Sequence, residues 1–149
     1  MKILILRSPK EVLIHWPKLR EGFKWLVEKT RFDYPEDETF QTVSLLSEDP
    51  DKAFIALAYD DANSLVSFIV VFDSTPLFSS ERSFMIYALK HQPHKINITR
   101  RLINDFEIWA LARGARRFSL ATRKYGEKSV SLFSRLGFKK DCLLLTKEI

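Results

Sequence analysis

Glycine is scarce: only 4 of the 149 residues are Gly. A phosphate-binding loop built on glycine therefore has few residues to draw on. No GxGxxG, no Walker-type loop and no nucleophile elbow occurs, which sets those signatures aside. Cysteine is scarcer still. Cys142 stands alone, cannot form an internal disulfide and fits a reducing compartment. It lies in the apolar run DCLLL and reads as a buried strand residue rather than a nucleophile. The histidines His15, His91 and His94, with that cysteine, make no metal site at recognisable spacing. No apolar run approaches the length that spans a bilayer. The start, MKILILRSPKEV, meets Arg7 and Pro9 too soon for a secretory signal. A soluble intracellular protein, cytoplasmic and without membrane contact, is expected.

Apolar material, by contrast, is ample. Hydrophobic residues make up 46% of the chain, and 12 are Phe. That composition and length suit one domain, residues 1–149, with one core. The formal net charge is +5, unevenly spread. Residues 1–75 hold 9 basic and 13 acidic side chains, and residues 76–149 hold 15 and 6. A basic half suits an anionic partner such as a phosphorylated cofactor, and equally a solvated basic face.

The periodicities give an element order. KILILR (2–7) reads as a strand. Ser8, Pro9 and Glu11 then signal a helix start by cap, first-turn proline and capping box. Val12, Leu13, Trp16, Leu19, Phe23, Leu26 and Val27 carry that helix to about Thr30. Pro17 lies inside it, where proline removes a hydrogen bond and can split the run. Residues 31–37 read as a loop, and 38–47 fit either a short helix or a strand. Ala53–Tyr59 and Leu65–Phe72, joined by DDANS, read as a hairpin. Arg82–Leu89 is a further strand. Residues 97–113 form a long amphipathic helix capped at Gly114. A strand over 117–122, a helix over 128–136 ending at Gly137, and a last strand over 139–147 complete an α/β (α+β) domain.

Between the Arg82–Leu89 strand and the long helix lies HKINITRRLINDF (94–106), a helix start with clustered positive charge and no glycine. Its N–H groups and dipole suit an anion. The C-terminal third carries a resemblance: ALARGARRFSLAT (110–122), then SVSLFSRLGF (129–138), a long helix, a small residue, a strand and a short helix closing on Gly-Phe. This order resembles the GNAT family of N-acetyltransferases over roughly residues 50–149, by the order of elements. The first 49 residues match only in having a strand and then helices.

The resemblance implies a mixed central sheet of about six to seven strands flanked by helices. It implies acetyl-CoA as co-substrate in a V between the fourth and fifth strands, and an amine acceptor on a small molecule or a protein. The pyrophosphate loop, Gln/Arg-x-x-Gly-x-Gly/Ala in the family, falls here on His94, Lys95, Ile96, Asn97, Ile98 and Thr99, with Asn97 and Thr99 at the small-residue positions. Lys95, Arg100 and Arg101 would add charge to phosphate oxygens. The backbone of Ala88, Leu89 and Lys90 would face the pantetheine arm. The family's tyrosine proton donor is replaced by Phe133, which leaves Tyr125 and Tyr87 as candidate catalytic phenols. The alternative is a GNAT fold without catalysis, a binding or structural module such as a component of a phage particle. A homodimer or larger assembly is compatible with either reading. Nucleic acid is not the expected partner, because helical spacing splits Arg100, Arg101, Arg113, Arg116, Arg117, Arg123 and Lys124 among different faces. Acceptor contacts are expected from the first helices, Trp16–Glu38.

Overall fold

The structure, a computed structural model, describes residues 1–30, 33–121, 127–139 and 147. Its elements are β1 (Lys2–Leu6), α1 (Pro9–Thr30), α2 (Glu36–Ser47), β2 (Ala53–Tyr59), β3 (Leu65–Asp73), β4 (Arg82–Lys90), a 3-10 turn (Pro93–Lys95), α3 (Ile96–Leu111), β5 (Ala115–Leu120) and α4 (Glu127–Arg135). The sheet runs β1-β2-β3-β4-β5, antiparallel except for the parallel β4–β5 pair. Its 5 strands among the described residues are fewer than the resemblance implied. The expected strand over 139–147 lies outside the described residues, apart from 139 and 147.

Helix α1 begins as its sequence dictates. The Glu11 N–H donates to Ser8 Oγ at 3.2 Å. The Glu11 carboxylate reaches one residue further back than a capping box requires and accepts from the Arg7 N–H at 2.6 Å. Pro17 does not split the helix, which runs unbroken over 22 residues. Its buried face, Val12, Leu19, Phe23 and Leu26, holds it on the sheet, and that packing outweighs one lost hydrogen bond. The ambiguous stretch is helix α2. Glu36, Asp37 and Glu38 occupy its first turn, where carboxylates favour the positive end of the helix dipole.

Strands β2 and β3 are central and almost wholly buried, as strands covered on both faces must be. Alternation sends Ile55, Leu57, Phe68 and Val70 towards α1 and α2. It sends Phe54, Ala56, Ile69 and Val71 towards α3. Helix α1 approaches β3 closely at Gly22, where an added Cβ would lie 2.4 Å from the Phe68 ring. On the other face Phe54, Phe84, Phe106, Trp109 and Phe118 form one aromatic cluster.

The Gly-Phe phrase has a geometric cause. Gly137 adopts φ +92°. The Phe138 N–H donates to the Phe133 carbonyl at 3.0 Å, and the Gly137 N–H to the Ser134 carbonyl at 3.0 Å. The Phe133 and Phe138 rings meet at 5.9 Å. This is a Schellman end with its hydrophobic contact, so glycine is needed for the turn and the aromatic for its closure. Among the described residues no helix is long and apolar enough to cross a membrane.

Candidate active site

Strand β4 organises the site. It follows β3 through Phe68↔Lys90, but the register shifts between Val70 and Val71, whose partners are Ala88 and Ile86. Tyr87 is the extra residue, so it forms a β-bulge. The consequence shows in the burial. Phe84 and Ile86 face α3, whereas Tyr87 and Ala88 both pack on the α1 side, and Leu89 turns back towards α3. Against β5 the pairing runs only from Arg82↔Ala115 to Ile86↔Leu120. From Tyr87 to Lys90 the backbone edge towards β5 has no strand partner among the described residues. The strands part at Ala88–Lys90, the residues for which the family resemblance implies pantetheine contacts.

The end of β4 is fastened from both faces. Thr99 Oγ1 donates to Ser67 Oγ at 3.2 Å, and Ser67 Oγ donates to the Lys90 carbonyl at 2.6 Å. Thr99 is fully buried. Its side chain therefore enters the core between α3 and β3 and does not crowd the helix start. The Lys90 side chain is 8% exposed. Its ammonium donates to the Leu65 carbonyl at 3.2 Å and lies 5.6 Å from the Trp25 ring centroid. Burial lowers its pKa, partly opposed by the Glu21 carboxylate. Of the other positions singled out from sequence, Ala88 packs towards α1 and Leu89 towards α3, while Ile98, on α3 itself, packs against the cluster between that helix and the sheet.

The cations at the start of α3 have carboxylate or amide partners. Lys95 Nζ is 2.7 Å from Asp60 Oδ2. Arg100 donates to Asn97 Oδ1 at 3.1 Å. Arg101 pairs with Asp105 at 3.5 Å along the helix. No side chain caps either the 3-10 turn or α3, so the backbone donors of the first turn are left to other partners.

Two features have no counterpart in the sequence patterns. His91 sits just past β4, edge-on to Trp25 at 6.0 Å and to Phe133 at 6.3 Å. Its Nδ1 is buried without a hydrogen-bond partner among the described residues, and burial lowers its pKa. The other is Tyr34, whose hydroxyl donates to the Tyr87 carbonyl at 3.1 Å. Burial, reinforced by Tyr87, pushes the Tyr34 phenol up to about 12. Tyr34 also lines a groove of about 330 Å³ between α1 and α2, with Trp16, Phe23, Glu28, Asp33 and Glu36. The groove lies in the stretch where acceptor contacts were expected. Its link to β4 had no signal, since 53 residues separate Tyr34 from Tyr87. Burial raises the Tyr87 phenol as well. Tyr125 lies outside the described residues.

The family model described as the acetyltransferase (GNAT) family matches residues 16–138. The chain belongs to the GNAT acetyltransferase family. Among similar solved structures is an aminoglycoside antibiotic 6'-N-acetyltransferase from Acinetobacter haemolyticus, at 18% identity and TM-score 0.70, covering 100% of this chain and 99% of that one. A ribosomal-protein-alanine N-acetyltransferase from Brucella melitensis biovar Abortus 2308 shares 17% identity at TM-score 0.67, with 100% of both chains covered. An aminoglycoside acetyltransferase from an uncultured soil metagenomic sample, in complex with sisomicin, shares 15% identity at TM-score 0.73, covering 99% of this chain and 95% of that one. At these identities the likeness is one of fold. No curated protein matches in sequence at a significant level. As a GNAT acetyltransferase the chain falls in a family that generally uses acetyl-CoA as co-substrate. The comparisons lend no support to the phage-particle alternative.

Proposed function

We propose that this GNAT protein transfers the acetyl group of acetyl-CoA to an amine held in the groove between α1 and α2. The observation that carries the reading is the parting of β4 from β5 after Ile86, beside the Tyr87 bulge and one hydrogen bond from that groove. The amine nitrogen attacks the thioester carbonyl carbon. The C–N bond forms, the C–S bond breaks, and the proton lost by nitrogen ends on sulfur, giving an amide and a free thiol. Backbone N–H groups of β4 stabilise the charge that develops on oxygen. The Ala88–Lys90 backbone takes the pantetheine arm. The uncapped start of α3 takes the pyrophosphate, helped by Lys95, Asn97, Ile98, Thr99, Arg100 and Arg101, of which Thr99 acts by holding the helix in place. Tyr87 and Tyr125 are the phenols proposed to give sulfur its proton.

The groove favours an acceptor that carries positive charge, whose reacting nitrogen sheds one proton to solvent before it attacks as the neutral amine. Its walls are Trp16, Phe23 and Tyr34, and the carboxylates of Glu28, Asp33 and Glu36 outnumber its cations, Arg20 and Lys24. Similar structures are named for aminoglycoside and for ribosomal-protein alanine acetylation, and an amine on a small molecule or a protein fits both names. Thermal unfolding with and without acetyl-CoA tests the first half. Ligand at about 100 times its Kd stabilises by roughly 2.7 kcal/mol. No shift at millimolar acetyl-CoA makes the chain a non-catalytic module. Thiol release with a panel of amines tests the second half.

A further inference from the structure

Tyr34 joins what the acyltransfer reading keeps as two sites. Its ring packs on Phe23 at 5.0 Å and stands edge-on to Tyr87 at 5.6 Å. Its hydroxyl holds the Tyr87 carbonyl. That carbonyl belongs to the residue β3 does not pair, so the ladder constrains it least. A trans peptide points its carbonyl and the next N–H in opposite directions, and the chain has no cis bond among the described residues. Fixing the Tyr87 carbonyl on the α1 side therefore fixes the Ala88 N–H away from it. This is the peptide at which β4 leaves β5. The same Tyr34 ring is a wall of the groove.

We propose that Tyr34 is a positioning residue: its hydroxyl sets the Tyr87–Ala88 peptide against the acyl group, and its ring ties that setting to the acceptor groove. This rests on the acetyltransferase reading. Tyr34 does not move a proton. Its phenol stays protonated throughout the working range and its bond is to a carbonyl. The coupling is mechanical. Losing the hydroxyl frees the bulge peptide, and the misplacement is felt in the chemical step rather than in coenzyme binding.

The test is Tyr34→Phe, which keeps the ring and removes one oxygen. Turnover of the acceptor amine and acetyl-CoA binding are measured well below the unfolding temperature. The expected result is a kcat lower by about tenfold, as for one lost hydrogen bond in a positioned site. The Kd for acetyl-CoA stays within about twofold, since the arm's other contacts are untouched. The pH profile of kcat keeps the wild-type limbs, and the Ala88 amide resonance shifts more than those of β1 or β2. Tyr34→Leu, which removes the ring as well, additionally raises the acceptor KM. An unchanged kcat in Tyr34→Phe, or a lost pH limb, overturns the positioning role while leaving the acetyltransferase reading intact. So does a loss that disappears on cooling in step with regained stability. A wild-type protein that releases no thiol with any amine overturns the reading itself, and this inference with it.

Discussion

Lys95 Nζ lies 2.7 Å from Asp60 Oδ2, which ties the first residues of the α3 region to the turn between β2 and β3. Asp60 is itself fixed, since its Oδ1 accepts from the N–H groups of Ala62 and Ser64. The hydrogen bond from Lys95, then that from Ser64, holds its carboxyl below the usual aspartate value, so it is ionised at neutral pH. In the proposed pyrophosphate site, this carboxylate would compete with phosphate for Lys95. Asp60→Asn removes the competitor and keeps the turn. Acetyl-CoA binding should tighten by up to about fivefold at low salt, as expected for one partly exposed charge pair. Calorimetry at two salt concentrations checks it, with the gain fading at the higher one.

The missing glycines of HKINITRR invite a repair that should fail. Thr99 is buried, and its hydroxyl feeds the Ser67–Lys90 chain. Thr99→Gly loses that bond, the buried methyl and helix propensity, together about 2–4 kcal/mol. Thr99→Val loses only the hydroxyl, about 1 kcal/mol. Denaturant unfolding ranks the two. A Thr99→Gly protein as stable as wild type would show that the Thr99 contacts contribute nothing.

His91 gives stability a pH dependence. Its folded pKa lies below the ordinary histidine value because burial disfavours the imidazolium. Between the two values the unfolded chain binds more protons than the folded one. Stability from this group is therefore complete above the unfolded value near 6.5 and is lost as pH falls towards the folded one. Melting temperatures from pH 8 to pH 5 should drop, and His91→Phe should flatten that part of the curve.

Gly22 is closed to any side chain. A Cβ there would sit 2.4 Å from Phe68 Cε1, and that ring is fully buried against Phe23 at 5.0 Å. Alanine favours helix by about 1 kcal/mol over glycine. The overpacking should win, leaving Gly22→Ala less stable by about 1–3 kcal/mol. A gain in melting temperature would show that Phe68 can move.

Local rules made much of the fold legible. Ser8, Pro9 and Glu11 announced α1, DDANS announced the hairpin, and Gly137-Phe138 announced the end of α4, because caps, turns and Schellman ends act within a few residues. The site was legible in part. Ala88–Lys90 lie beyond the last β4–β5 pair, and the groove's lining falls within Trp16–Glu38 except for Thr39. Thr99 carried an unused signal: it stands three and four residues before Leu102 and Ile103, on the buried stripe of α3.

The sequence by itself determined most of the helices and strands, though not that 38–47 is helical, and that a basic helix start follows β4. Short-range hydrogen bonding and apolar periodicity suffice for that. Tertiary structure decided how the charges and phenols are used. Lys95 is claimed by Asp60 from 35 residues away, and the Tyr87 carbonyl by Tyr34 from 53. Such pairings depend on how α1, the hairpin and β4 come together, and no local pattern encodes that.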